Sequence, residues 1–307
     1  MLENAQFYRY LPTASIANCQ SKKKCVAQQI ARIAVRSLYA ELVLYPKPGL
    51  VSLRDNGSHT DMDAACFMRS LFSLRHYFRE IAHAGAVGAE FKVLKKLGVA
   101  AEQRMLKTTK GINTHRGAIF ALGMLSAAVG YCLLHGDVLT ATTLRQTLIS
   151  QWGQALAEHS IPDERQDLSH GLQAAKQYAA SGAREEAALG FPSIFELALP
   201  RLQQSLREGR MLHLAQLDCF FTLMAHISDT NLYHRGGATG IAYARDAAQK
   251  FLKQGGTANP QWLRMAENYH QEFIARRLSP GGAADMLAAS CFVRQCLEEF
   301  SAVSMHE

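Results

Sequence analysis

The sequence lacks most of the short signatures that mark common enzyme classes. Its seven cysteines stand at 19, 25, 66, 132, 219, 291 and 296. The number is odd, the spacings are scattered, and no C-x-x-C occurs. That argues against a disulfide framework and against a zinc knuckle. No H-E-x-x-H and no His/Cys cluster asks for zinc or iron. There is no Walker A sequence and no G-x-G-x-x-G after a strand, which excludes the two common nucleotide-binding folds. G-x-S-x-G is missing, and no Ser/His/Asp order can be argued. Strand alternation bounded by hairpin turns is missing too. The N-terminus has no signal-peptide layout. With thiols used this way, the cytoplasm is the expected compartment.

Charge of one sign is also not concentrated. The net charge is +7 over 307 residues, and only Lys22-Lys23-Lys24 forms a run. This is no nucleic-acid footprint, but it suits an anionic small molecule. Hydrophobic residues make up 48% and charged residues 19%, the balance of a globular chain able to bury a large core. One stretch, Gly117 to Leu134, is free of charge and at the short end for a membrane span. Its Gly117, Gly123, Ser126 and Gly130 fit a buried helix that neighbours approach closely. No membrane partner is expected.

What is present is helical periodicity. Residues 1–24 are mixed polar and read as a loose arm; 25–307 read as one all-α domain of about ten helices. Val26, Ile30, Ile33, Ala34, Ser37, Leu38, Glu41 and Leu42 recur at three and four, and Pro46 and Pro48 end that helix. Further helices are predicted over Ala64–His83, Ala89–Lys107, Gly117–Leu134, Thr140–Leu156, Gly171–Ser181, Phe195–Leu206, Leu212–Ile227, Gly240–Lys253 and Pro260–Arg277, with a last one ending near Phe300.

Between these helices lie four polar loops of one design: 46–63, 110–117, 228–237 and 279–285. Each has a carboxylate or Asn, glycine, and then a helix start, and the first three carry a cation. Free N–H groups at a helix N-terminus bind phosphate, and Lys47, Arg54, Lys110, Arg116 and Arg235 add cations. Asp61, Asp63, Asp229 and Asp285 suit Mg²⁺, a hard ion that bridges carboxylate to substrate phosphate. Each part also has an ordinary reading. Taken in isolation, Asp61 and Asp285 read better as plain N-caps, the arginines serve as helix-end cations, and His59, His115 and His234 as satisfied polar groups. The residues alone point to an α-helical, Mg²⁺-dependent enzyme acting on a phosphorylated substrate.

Taken together the loops resemble one family. Pro46-Lys47-Pro48-Gly49-Leu50-Val51, Asn56-Gly57-Ser58-His59-Thr60-Asp61-Met62 and Gly111-Ile112-Asn113-Thr114-His115-Arg116-Gly117 are similar to the triphosphoribosyl-dephospho-CoA synthases. So are Gly182-Ala183-Arg184 with Glu186 and Gly190-Phe191-Pro192, Asp229-Thr230-Asn231 with Arg235-Gly236-Gly237, and Leu278-Ser279-Pro280-Gly281-Gly282 with Asp285. The resemblance implies a transferase that joins ATP to 3′-dephospho-CoA, releasing adenine. The product is the prosthetic-group precursor for an acyl carrier subunit and its prosthetic-group transferase. The wording around Tyr45 to His59 is closer to the malonate decarboxylase branch than to the citrate lyase branch.

Breaking an N-glycosidic bond builds positive charge on the sugar, and proton transfer is wanted at both the hydroxyl and the base. Under this resemblance Asp61, Asp229 and Asp285 hold Mg²⁺. Lys47, Arg54, Arg116 and Arg235 hold phosphates. Asn56, Asn113 and Asn231 orient ribose or base, with His115 and Gly236 also in the substrate site. Glu186 or His59 moves protons. Two rivals are an Mg²⁺-dependent N-glycosidic hydrolase and a non-catalytic nucleotide-binding partner of the carrier protein.

Overall fold

A computed structural model describes residues 13–160 and 183–301. The expected helix at Gly171–Ser181, and residues 1–12 of the expected arm, lie outside the described residues. Within them the fold is all-α, with no strand. The elements are α1 (Thr13–Val43), α2 (Ala64–Ser73), α3 (Arg75–Ala86), α4 (Phe91–Thr108), α5 (Arg116–His135), α6 (Ala141–Leu148) and α7 (Gln154–Ser160). After residue 182 come α8 (Ala183–Ala188), α9 (Leu199–Arg207), α10 (Leu212–His226), α11 (Thr230–Lys253), α12 (Trp262–Ala275) and α13 (Gly281–Ser301).

The uncharged stretch is the centre of the fold. It forms α5, which packs on α1, α3, α4, α6 and α13 and is buried along most of its length. Small residues allow the closest crossing, with α3. A Cβ on Gly85 would stand 2.1 Å from the Ala127 carbonyl oxygen, and one on Gly130 would stand 2.2 Å from that of Ala82. Tyr77 of α3 donates to the Ile119 carbonyl of α5 at 2.9 Å, which satisfies its hydroxyl inside the core. The core is aliphatic and aromatic throughout, and the buried Cys66, Cys132, Cys219, Cys291 and Cys296 are free thiols, as is the exposed Cys25.

Several boundaries differ from the periodic reading. Helix α1 begins at Thr13, not at Cys25. The predicted Ala64–His83 helix is two, turning at Leu74. The Thr140–Leu156 and Phe195–Leu206 helices each contain a π-helical turn, at Ile149–Gly153 and Ser193–Ala198. The largest change is at 228–237. It is helix from Thr230 onward, running into the Gly240–Lys253 segment across a kink at Gly237, whose φ is 59°.

Candidate functional site

The loops and helix starts converge on one cavity of about 960 Å³. Its polar side is built from the end of the 45–63 loop, the α4–α5 junction, α8, the α10–α11 junction and the start of α13. Its apolar side comes from α2, α3, α4 and α5, including Phe67, Ile81, Leu94, Phe120 and Met124. Of the residues chosen from sequence, His59, Asp61, Asn113, His115, Arg116 and Glu186 line it, as do Asn231, Arg235 and Asp285. Lys47, Arg54, Asn56, Asp229 and Gly236 do not.

Each residue outside the wall has a structural place. Lys47 is buried, its ammonium paired with Glu41 and 2.6 Å from the Glu41 carbonyl. Its charge is answered by an internal ion pair. Arg54 is exposed and lies over the Tyr45 ring at 4.7 Å. Asn56 is exposed and accepts from the His59 backbone N–H at 3.1 Å. Gly236 lies inside α11 against Leu278, where a Cβ would come within 2.5 Å.

Asp229 is the clearest departure from the metal role. Oδ1 accepts from the N–H groups of Asn231 at 2.9 Å and Leu232 at 3.3 Å, capping α11. Oδ2 accepts from Ala283 at 3.0 Å, at the start of α13, where the Gly282 N–H also bonds the carboxylate. One buried carboxylate thus closes two helix N-termini, and its acceptor sites are filled by backbone. Burial pushes its pKa up against those hydrogen bonds. Asp285 does a related thing for α5. It accepts from the Ala118 N–H, and a Cβ on Gly117 would come within 2.1 Å of Oδ2. Its pKa is raised well above the carboxylate range by burial, then by Glu41 and Asp229.

The starts of α11, α13 and α5, expected to receive phosphate, are therefore met by the protein's own carboxylates. Among the described residues, Lys95, Arg116, Arg184 and Arg235 line the cavity as cations. Arg116 is held by Glu102 through Nε at 2.6 Å and Nη2 at 2.5 Å. Arg184 has its pKa lowered by burial and is drawn back by the same Glu102. Lys95 and Glu102 were not singled out from sequence. They sit seven residues apart on one face of α4, a spacing that marks a helix face but not what the face meets.

His59 is fixed as a neutral ring. Arg235 donates from Nη2 to His59 Nδ1 at 3.0 Å, so the ring proton sits on Nε2 and is shared with Ser279 Oγ at 2.8 Å. Burial and Arg235 lower its pKa to about 4. No lone pair is left for the proton transfer expected of His59. Glu186 accepts from Ser193 at one oxygen, from Oγ at 2.7 Å and from the backbone N–H at 3.2 Å, and this tethers α8 to the π-helical turn. Asp61 is different: its side chain is 58% exposed, 3.7 Å from His59 Nδ1.

For Mg²⁺, no group of three His, Cys, Asp or Glu among the described residues forms a ready cage. Asp61 on the open side of the cavity fits the other mode, one carboxylate sharing an ion with substrate phosphates.

A family model described as ATP:dephospho-CoA triphosphoribosyl transferase matches residues 27–304. A protein of Acinetobacter calcoaceticus named probable 2-(5″-triphosphoribosyl)-3′-dephosphocoenzyme-A synthase is 38% identical over 274 residues, 89% of this chain and 93% of that protein. Proteins of the same name from Pseudomonas fluorescens and Salmonella choleraesuis are 38% and 37% identical, with 93% of each covered. No solved structure shows a significant match. A match running through every element that builds the cavity leaves one conclusion: the chain belongs to the ATP:dephospho-CoA triphosphoribosyl transferase family.

Proposed function

We propose that this protein transfers the triphosphoribosyl group of ATP to the 2′-hydroxyl of 3′-dephospho-CoA, releasing adenine, and that it supplies the prosthetic group of a malonate decarboxylase acyl carrier subunit. The observation that carries the reading is the family match over 27–304, whose motifs meet around a single cavity. The cavity's chemistry supports it. An apolar side suits a nucleobase, and a mouth with Lys95, Arg116, Arg184 and Arg235 suits polyphosphate.

In this reading the arginines grip the triphosphate and orient the ribose. Asn113 and Asn231, both exposed in the wall, reach the sugar hydroxyls. Glu186, steadied by Ser193, receives the proton of the attacking hydroxyl. Asp61 is the protein's carboxylate toward Mg²⁺, which neutralises phosphate charge when bound. Asp229 and Asp285 shape the floor by holding helix starts. The malonate branch rests on the wording of the Tyr45–His59 segment.

The test is adenine release from Mg-ATP with and without 3′-dephospho-CoA, followed by the mass of the product. Adenine only with dephospho-CoA, with a product heavier by a triphosphoribosyl group, supports the synthase. Adenine without it points to a hydrolase. None in either case, from folded protein, overturns the reading. Charging of a malonate decarboxylase carrier subunit, against a citrate lyase one, tests the branch.

A further inference from the structure

Among the described residues, one buried polar atom of a cavity-lining side chain has no hydrogen-bond partner. His115 is 3% exposed and lines the cavity. Its ring meets Phe67, another lining residue, edge to face at 5.0 Å. Nδ1 lies 2.7 Å from Ser70 Oγ. Ser70 Oγ already receives the hydroxyl hydrogen of Thr114 at 2.7 Å. The remaining hydrogen of Ser70 therefore points to Nδ1, and the ring proton sits on Nε2. Nε2 is shut off from bulk water and has no hydrogen-bond partner among the described residues. Buried polar groups are nearly always paired, so an orphan beside a cavity marks a place for a ligand atom.

The ring is also kept neutral. Burial and the nearby charge of Lys47 lower its pKa to about 3. Burial is the larger cause, and the inward-facing Lys47 adds to it. His115 and His59 are thus opposite cases. Both are neutral, but His59 has both nitrogens filled, while His115 presents one fixed N–H.

The identity of the acceptor rests on the synthase reading and deepens it. The triphosphate is met by arginines, and a neutral N–H adds little to them. The apolar residues near His115 suit a flat base, and adenine carries ring acceptors at N3 and N7. We propose that His115 Nε2–H donates to N3 or N7 of the departing adenine, stabilising the negative charge that it acquires. In the step, C1″–N9 breaks with its electron pair moving onto adenine, and O2′–C1″ forms. The hydroxyl proton passes to the Glu186 carboxylate, and the released adenine anion takes a proton from water, which Glu186 replaces as it ionises again, so adenine leaves neutral. His115 keeps its own proton throughout. The relay Thr114, Ser70, His115 holds the donor in place before substrate arrives.

The experiment compares single-turnover rates on ATP, 3-deaza-ATP and 7-deaza-ATP with saturating dephospho-CoA, for wild type, His115→Phe and His115→Gln. One analogue is expected to slow wild type by about 10²-fold. His115→Phe should be slowed about as much on ATP and hardly further by that same analogue. His115→Gln returns an N–H and should recover part of the loss. An intrinsic effect of the deaza ring would persist in His115→Phe; if it does, the contact is overturned. It is also overturned if neither analogue slows wild type, a result that needs no folded variant. Wild type that makes no triphosphoribosyl product from ATP overturns the synthase reading itself, and the contact with it. Normal product with analogue effects that multiply overturns the contact alone.

Discussion

The loop between α1 and α2 has two ends of similar composition and opposite use. Its first part, Tyr45 to Ser58, is structural. Lys47 is buried on Glu41, and Asp55 pairs with His270 at 2.9 Å. The Ser58 hydroxyl donates to the Leu278 carbonyl at 2.6 Å. Its last part, His59 to Met62, faces the cavity, with Asp61 open to solvent. Density of charged groups is therefore a poor guide to a site. What separates Lys47 and Asp55 from Asp61 is whether the protein itself completes their hydrogen bonds. A charge that is fully answered internally holds the fold; one left open is available to a ligand.

That contrast can be broken from the structural side first. Lys47→Ala leaves the Glu41 carboxylate without its partner in the interior and should cost about 3–5 kcal/mol, read as a lowered denaturant midpoint. A merely local surface effect would show instead if Lys47 were a phosphate ligand. Asp229→Ala frees the first N–H groups of α11 and α13 together and should cost about 2–3 kcal/mol, again by chemical denaturation. Loss of turnover with unchanged stability would restore its metal role.

Acid sharpens the comparison at His115. Its folded pKa lies below its unfolded value, so the stability it contributes is present above about pH 6.5 and is lost as pH falls toward 3. The slope from this one residue is about 1.4 kcal/mol per pH unit across that window. His115→Phe should flatten the fall in Tm between pH 6.5 and 4 relative to wild type. The smallest change in stability is expected at Asp61. Asp61→Ala should alter it by under about 0.5 kcal/mol, while turnover falls on the order of 10²-fold and the Mg²⁺ requirement rises. Unchanged kinetics there would remove the open end of the loop from the site.

Much of this was legible in the residues. The apolar periodicities placed most of the helices, and the uncharged Gly117–Leu134 stretch read correctly as a buried helix. Its glycines read correctly as points of close approach. The motifs around His59, Asn113, Arg116, Glu186 and Arg235 do meet at one cavity. The chosen residues that stand outside the cavity wall share a cause. Lys47 and Asp229 look like ligands because their types are right and their neighbours polar. Nothing in a linear sequence says that Glu41 lies beneath one or that α13 begins beside the other. Lys95 and Glu102 were passed over for the converse reason: on a regular amphipathic helix they look like solvated surface.

The sequence by itself determined the all-α class, the central helix and the order of the polar junctions. These depend on local propensity and on periodic burial, both of which are written along the chain. Only the tertiary structure decided which charges face the cavity, which helix starts are already closed by Asp229 and Asp285, and which histidine keeps a free N–H. Those outcomes depend on partners brought from distant parts of the chain, such as Arg235 to His59 and Ser70 to His115. Hydrogen-bond completion inside a fold is a property of such encounters, not of any segment alone.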